Sequence, residues 1–197
     1  MAQKKENKKL NQILIDLRSN DSKKISKAIK ALEAHGDSSV ILPLAEVLLS
    51  GVDAKNEADI LELLSSLKDS SVVVEIMDVI EDERFEKIRQ KMLTTVWNTK
   101  VDFSDYIDSF VEIAVKGDFM EALDCLTIIE NMEGPFMEES ILESQLHLKN
   151  YLESSDSKDP QKAQMISEIA LKIKDINRSL NDWSATHGDH EEYHEWN

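Results

Sequence analysis

A chain of 197 residues carrying 39 acidic against 23 basic side chains, for a formal net charge of −16, is long enough to bury about 70% of its unfolded surface around one core. Five Gly and three Pro, among abundant Leu, Ile, Ala, Lys and Glu, exclude a sandwich of many turn-bounded strands and favour long helices joined by short turns. The acidic balance argues against wrapping of nucleic acid, whose phosphates must be neutralised by Lys and Arg, and the single Cys125 excludes an intramolecular disulfide.

The chain opens on a charged stretch, Met1-Ala-Gln-Lys-Lys-Glu-Asn-Lys-Lys9, that leads into an amphipathic segment without the apolar run of a secretion signal. Residues 1–30 hold nine Lys or Arg against three acids, a charge of +6, so the remainder carries −22. No window reaches the ~18 apolar residues of a membrane span. A cytoplasmic protein with no membrane association is expected.

From Asp21 onward the aspartates recur: Asp21, Asp37, Asp53 and Asp69 are sixteen residues apart, and Asp102 and Asp118 repeat that spacing after a longer gap. A unit starting at Phe85 fills the gap and keeps the apolar register, with the extra residue falling in the turn Asn98-Thr99-Lys100. Eight residues on from each start stand Ile29, Ala45, Leu61, Met77, Leu93, Phe110 and Leu126; eleven on stand Leu32, Leu48, Leu64, Ile80, Val96, Ile113 and Ile129. Seven on stand Ala28, Leu44, Ile60, Ile76, Met92, Ser109 and Cys125. Apolar positions separated by one and three residues form one face of a helix, and Cys125 falls in that stripe as a small core residue. An aspartate at each start can cap the unpaired N–H groups of the first turn. Sixteen residues allow about twelve in a helix and about four in a turn, so consecutive helices run antiparallel and two units make a hairpin. Hairpins this small bury their apolar faces by stacking on their neighbours, which predicts an all-α solenoid; an up-and-down bundle has no need for the same turn residue in successive helices.

The segment Asp21-Ser-Lys-Lys-Ile25-Ser-Lys27-Ala28-Ile-Lys-Ala-Leu32 resembles the second helix of a HEAT repeat. Gly36-Asp37-Ser38-Ser39-Val40-Ile41-Leu42-Pro43-Leu44 resembles the first helix of the repeat that follows, in the short HEAT-like class. The likeness is clear over residues 10–68 and weaker to about 131, with Glu57 and Arg89 where Ile25 and Ile41 stand in the early units. It implies a right-handed α-α superhelix of about five hairpins, with repeats over 10–131. Beyond Gly134-Pro135 the period lapses into two longer helices, 135–152 and 160–181, each expected to open on its Pro and to cap the stack. Residues 1–181 then form one domain, followed by a flexible acidic, His-rich tail over 182–197.

No Gly-rich phosphate loop, Gly-x-Ser-x-Gly elbow or Cys-x-x-Cys pair occurs in the chain. Adjacent acids such as Glu81-Asp82-Glu83 and Glu138-Glu139 sit at predicted helix starts, where they complement the helix dipole. The tail offers His187, His190 and His194 among carboxylates, which are ligand types for zinc, nickel or copper, but lacks a helical His-Glu-x-x-His pattern. No cofactor and no catalytic residue is expected. In HEAT-like folds the second helices of successive hairpins line the concave, partner-binding surface. Here those helices are 21–35, 53–68, 83–97 and 118–131. Their outward positions run from Lys23, Lys24, Lys27 and Lys30, through Lys55, Asp59 and Glu62, to Lys87 and Lys91, then Glu121 and Asp124. Trp97 lies one residue past its helix's core position, where it can anchor a partner, and Trp183 and Trp196 flank the tail. The reading is a non-enzymatic scaffold for a protein partner; the alternatives are a nucleic-acid-processing or lyase-like enzyme or accessory of the same fold, and metal binding through the tail.

Overall fold

The computed structural model of the chain describes residues 2–19, 21–35, 38–99, 101–154 and 159–187. Its helices, in chain order, are α1 (Ala2–Leu17), α2 (Ser22–His35), α3 (Ile41–Ser50), α4 (Ala54–Ser66), α5 (Val72–Glu81), α6 (Glu86–Asn98), α7 (Ile107–Lys116), α8 (Phe119–Glu130), α9 (Glu138–Glu153) and α10 (Pro160–His187). Single 3-10 turns at Ser38–Val40, Glu83–Phe85 and Ser104–Tyr106 run directly into α3, α6 and α7. The protein is all-α: no strand occurs among the described residues, and none of their helices is long and apolar enough to cross a membrane.

The chain divides into two compact units, Met1–Asp102 and Phe103–Asn197. In the first, α1 pairs with α2, α3 with α4 and α5 with α6, while α1, α3 and α5 pack in one row and α2, α4 and α6 in another. The second follows the same rule, with hairpins α7/α8 and α9/α10 and with α7 against α9 and α8 against α10. The three apolar positions read from the sequence supply most of this core. All are buried except Leu61, Ile113 and Ser109, which are half-buried. The exceptions have a geometric cause. In α4 the buried side chains are Asn56, Ile60, Leu63 and Leu64, and in α7 they are Ile107, Phe110, Val111 and Ala114; Leu61 and Ile113 lie about 100° to one side of those stripes.

Aspartates do open helices. The Asp21 carboxylate accepts from the Lys23 and Lys24 amides at 2.9 and 3.3 Å, and Asp53 caps α4 through the Asn56 amide at 3.1 Å. Asp69 accepts from Ser71 N at 2.8 Å ahead of α5. Asp118 and Glu121 form a reciprocal capping box at the start of α8, with each side chain bonded to the other's backbone N–H. Asp37 lies outside the described residues. Three starts differ from the sequence reading. The unit without an aspartate at Phe85 is capped three residues earlier by Asp82, which accepts from Arg84 N at 2.9 Å and sets up the 3-10 turn into α6. The start expected at Asp102 is a 3-10 turn over Ser104–Tyr106. Pro135 does not open α9, which begins at Glu138 after Met137, whereas Pro160 does open α10. That last helix continues to His187, beyond the expected end near residue 181.

Two glycines serve tight turns. Gly51 ends α3 at a φ of 83°, a left-handed conformation that side chains other than Gly rarely adopt. At Gly117, between α7 and α8, a Cβ would stand 2.9 Å from the Ile113 carbonyl oxygen. That crowded end of α7 is closed by Lys162 from α10, whose Nζ donates to the Val115 and Gly117 carbonyls at 2.8 and 2.6 Å.

Candidate protein-binding face

In the row α2, α4 and α6 the neighbouring helices are tied together near their N-termini, so the three run parallel and in register. Ser22, the first residue of α2, donates its hydroxyl to the Asp53 carboxylate at 2.7 Å. Asn56 is fully buried, and its Nδ2 lies within bonding distance of Ser22 O at 3.2 Å, Ser22 Oγ at 3.0 Å and Asp53 Oδ2 at 2.7 Å. One turn in, Lys91 of α6 pairs with Glu57 of α4 at 2.8 Å. Asn56 was not singled out from the sequence. The available signal was a small amide at the position occupied by Ile88 in the next even helix, three residues after a capping Asp.

Hydrogen bonds from Ser22 and the Asn56 amide hold the Asp53 carboxyl below its ordinary value of 3.8. A carboxylate with a depressed folded-state pKa contributes stability that is complete above the unfolded value and lost as pH falls through the folded one. Unfolding midpoints in urea should therefore drop between about pH 5 and pH 2, and drop less in Asp53→Asn, whose amide has no charge to lose. Equal acid sensitivity of the two proteins would place the loss at other carboxylates.

Register fixes what the outer face presents. Counting two, six and nine residues from Asp21, Asp53 and Phe85 gives Lys23, Lys27 and Lys30 on α2, Lys55, Asp59 and Glu62 on α4, and Lys87, Lys91 and Thr94 on α6. A spacing of four and three is one stripe along a helix. Lys23, Lys24, Lys27, Lys30, Lys55 and Lys87 are all exposed, and their ammonium groups make no ion pair among the described residues. Lys91 is half-buried and engaged by Glu57. Trp97 stands further along α6, three residues past Thr94, and is 42% exposed. The face thus carries seven lysines, against the carboxylates of Glu33, Glu57, Asp59 and Glu62, in a chain whose overall charge is −16.

The acidic positions expected on α8 belong to the second unit and do not present free carboxylates to a partner. Glu121 closes the capping box, and Asp124, expected to face outward, is buried because the same helix turns Cys125 and Ile128 into the core. Of the tail histidines, His187 ends α10, while His190 and His194, with Trp196, lie outside the described residues. Trp183 on α10 is 63% exposed. It borders a cavity of about 720 Å³ with Met132, Pro135, Phe136 and Leu180. A second cavity in that unit, about 640 Å³, holds His147, Tyr151, Asp159 and Lys162. There, burial lowers the Lys162 ammonium against the pull of Asp118, Glu121 and Asp159, and raises the Tyr151 phenol.

No family model, curated protein or solved structure matches the chain.

Proposed function

We propose that the chain is a non-enzymatic scaffold, built as a HEAT-like α-solenoid, that binds an acidic protein partner on the outer face of α2, α4 and α6. The observation that carries this reading is the concentration of exposed lysines on one in-register face of an otherwise strongly acidic protein. Such a face draws an acidic partner, and it orients that partner more than it adds raw affinity. Trp97 supplies an apolar, exposed side chain on the same helix row, the residue type that most often anchors an interface. The perturbed carboxylates Asp53, Asp69, Asp82 and Glu112 are all held low by hydrogen bonds. A general acid needs the opposite shift.

The test is affinity capture from native cell lysate with the intact protein and with Lys23→Glu/Lys24→Glu/Lys27→Glu, at low and moderate salt. These side chains are exposed and outside the core, so circular dichroism should not change. A specific protein captured by the intact chain should be depleted about tenfold or more by the variant, given ~0.2–1 kcal/mol for each exposed pair lost and added like-charge repulsion. Undiminished capture by the variant removes this face from the account.

A further inference from the structure

Lys23, Lys55 and Lys87 occupy the same place on three parallel, adjacent helices and recur every 32 residues along the chain. They form a row that crosses the helices, whereas Lys23, Lys27 and Lys30 form a column along α2 alone. The equivalent positions on α4 are Lys55, Asp59 and Glu62, so a lysine recurs at each step of the row but not down the neighbouring helix. Packed helix axes lie roughly 8–10 Å apart, which sets the pitch of the row. A polyproline-II segment has three residues per turn and rises ~3.1 Å per residue, so every third side chain returns to the same edge after about 9 Å. A β-strand returns a side chain to one face every second residue, after about 6.7 Å, and stacked nucleotides place a phosphate every ~3.4 Å of a strand's axis. Of the two peptide repeats only the first matches the lysines; every third phosphate of a strand, about 10 Å on, matches in spacing too, but the strongly acidic body disfavours nucleic acid.

We propose that the partner segment seated on this face is an extended, polyproline-II-like peptide with a carboxylate at every third residue, laid across α2, α4 and α6 so that successive carboxylates meet Lys23, Lys55 and Lys87. This rests on the acidic-partner reading above. The row sets the axis along which the peptide lies. A helix carrying the same charges lies instead along α2 and meets Lys23, Lys27 and Lys30. Trp97 stands toward the far end of α6, beyond the row, so the peptide's contact with the lysines does not require it.

The experiment measures fluorescence anisotropy of labelled probes with the full chain at low salt. The probes are a peptide of four Glu-Pro-Pro triplets, its Gln-Pro-Pro counterpart, a helical peptide of equal charge with Glu at every third and fourth position, and an oligothymidylate of similar length. The Glu-Pro-Pro peptide should bind in preference to the other three. Lys55→Glu/Lys87→Glu should weaken it about tenfold or more, while Lys27→Glu/Lys30→Glu should cost less than about threefold. Preference for the helical peptide, with the greater loss in the Lys27/Lys30 variant, overturns the crossing arrangement and leaves the acidic-partner reading standing. If neither acidic peptide exceeds the Gln-Pro-Pro control, or the oligothymidylate binds best, both fail.

Discussion

Phe110→Ala should destabilise the second unit by about 3–5 kcal/mol, the usual cost of deleting a buried aromatic ring. Phe110 is among the largest side chains with no exposure at all. It lies in α7, the helix that packs on both α8 and α9, and its ring meets Phe103 edge to face at 6.1 Å with the planes 80° apart. Truncation therefore removes burial, leaves a void where three helices meet, and breaks an aromatic pair that adds about 0.5–1.5 kcal/mol beyond its area. Urea unfolding followed by far-ultraviolet circular dichroism measures the change. Phe110→Leu retains most of the volume and should lose clearly less. Loss below about 1 kcal/mol in the alanine variant would mean the site collapses around the void, contrary to the packing described.

Ile76→Asp should unfold the first unit or cost it about 4–5 kcal/mol or more, because a carboxylate would replace a side chain with no exposure and find no charged partner in an apolar helix face. Two residues away, Val74 is 54% exposed. Val74→Asp places the same charge in the first turn of α5, where it complements the dipole, so stability should move by no more than about 0.5 kcal/mol. Thermal melts of the two variants compare one chemical change on opposite sides of one helix. Similar melting temperatures would show that α5 does not present Ile76 to the core.

The helices were legible because their evidence is local. A buried stripe recurs within one helix, and a capping aspartate sits beside the amides it accepts from, so Ile29, Met77 and Leu93 could be placed in the core, and Asp53 and Asp118 at helix starts, without knowing what each helix packs against. The misreadings came where the local rule had two solutions. A missing aspartate at Phe85 looked like a degenerate unit, yet Asp82 caps the same helix through an intervening 3-10 turn. Pro135 had the look of a helix opener, but the backbone stays non-helical until Glu138. Asp124 was expected to face outward with Glu121; the placement of Cys125 and Ile128 turns it inward.

Contacts distant in sequence were not legible. Asn56 reaches Ser22 across 34 residues, and Lys162 reaches the end of α7 across 45 and 47. Each is a polar side chain whose partner is named by stacking, not by periodicity. The lysine row had the opposite character. Its members were all identified as surface residues, but that they form a line across three helices needed the parallel arrangement that the Ser22, Asp53 and Asn56 bonds and the Lys91 pair display.

The packing rule, in which a helix meets chiefly its hairpin partner and the helix two along, also bears on how the chain reaches this state. Contacts close over short stretches of chain, so the entropy lost before each is rewarded is small, which favours fast folding of each unit. Within the first unit the hairpin α3/α4 is flanked on both sides while α1/α2 and α5/α6 each have one neighbour. Amide hydrogens of the middle pair should consequently exchange with solvent last, and fraying proceeds inward from the ends.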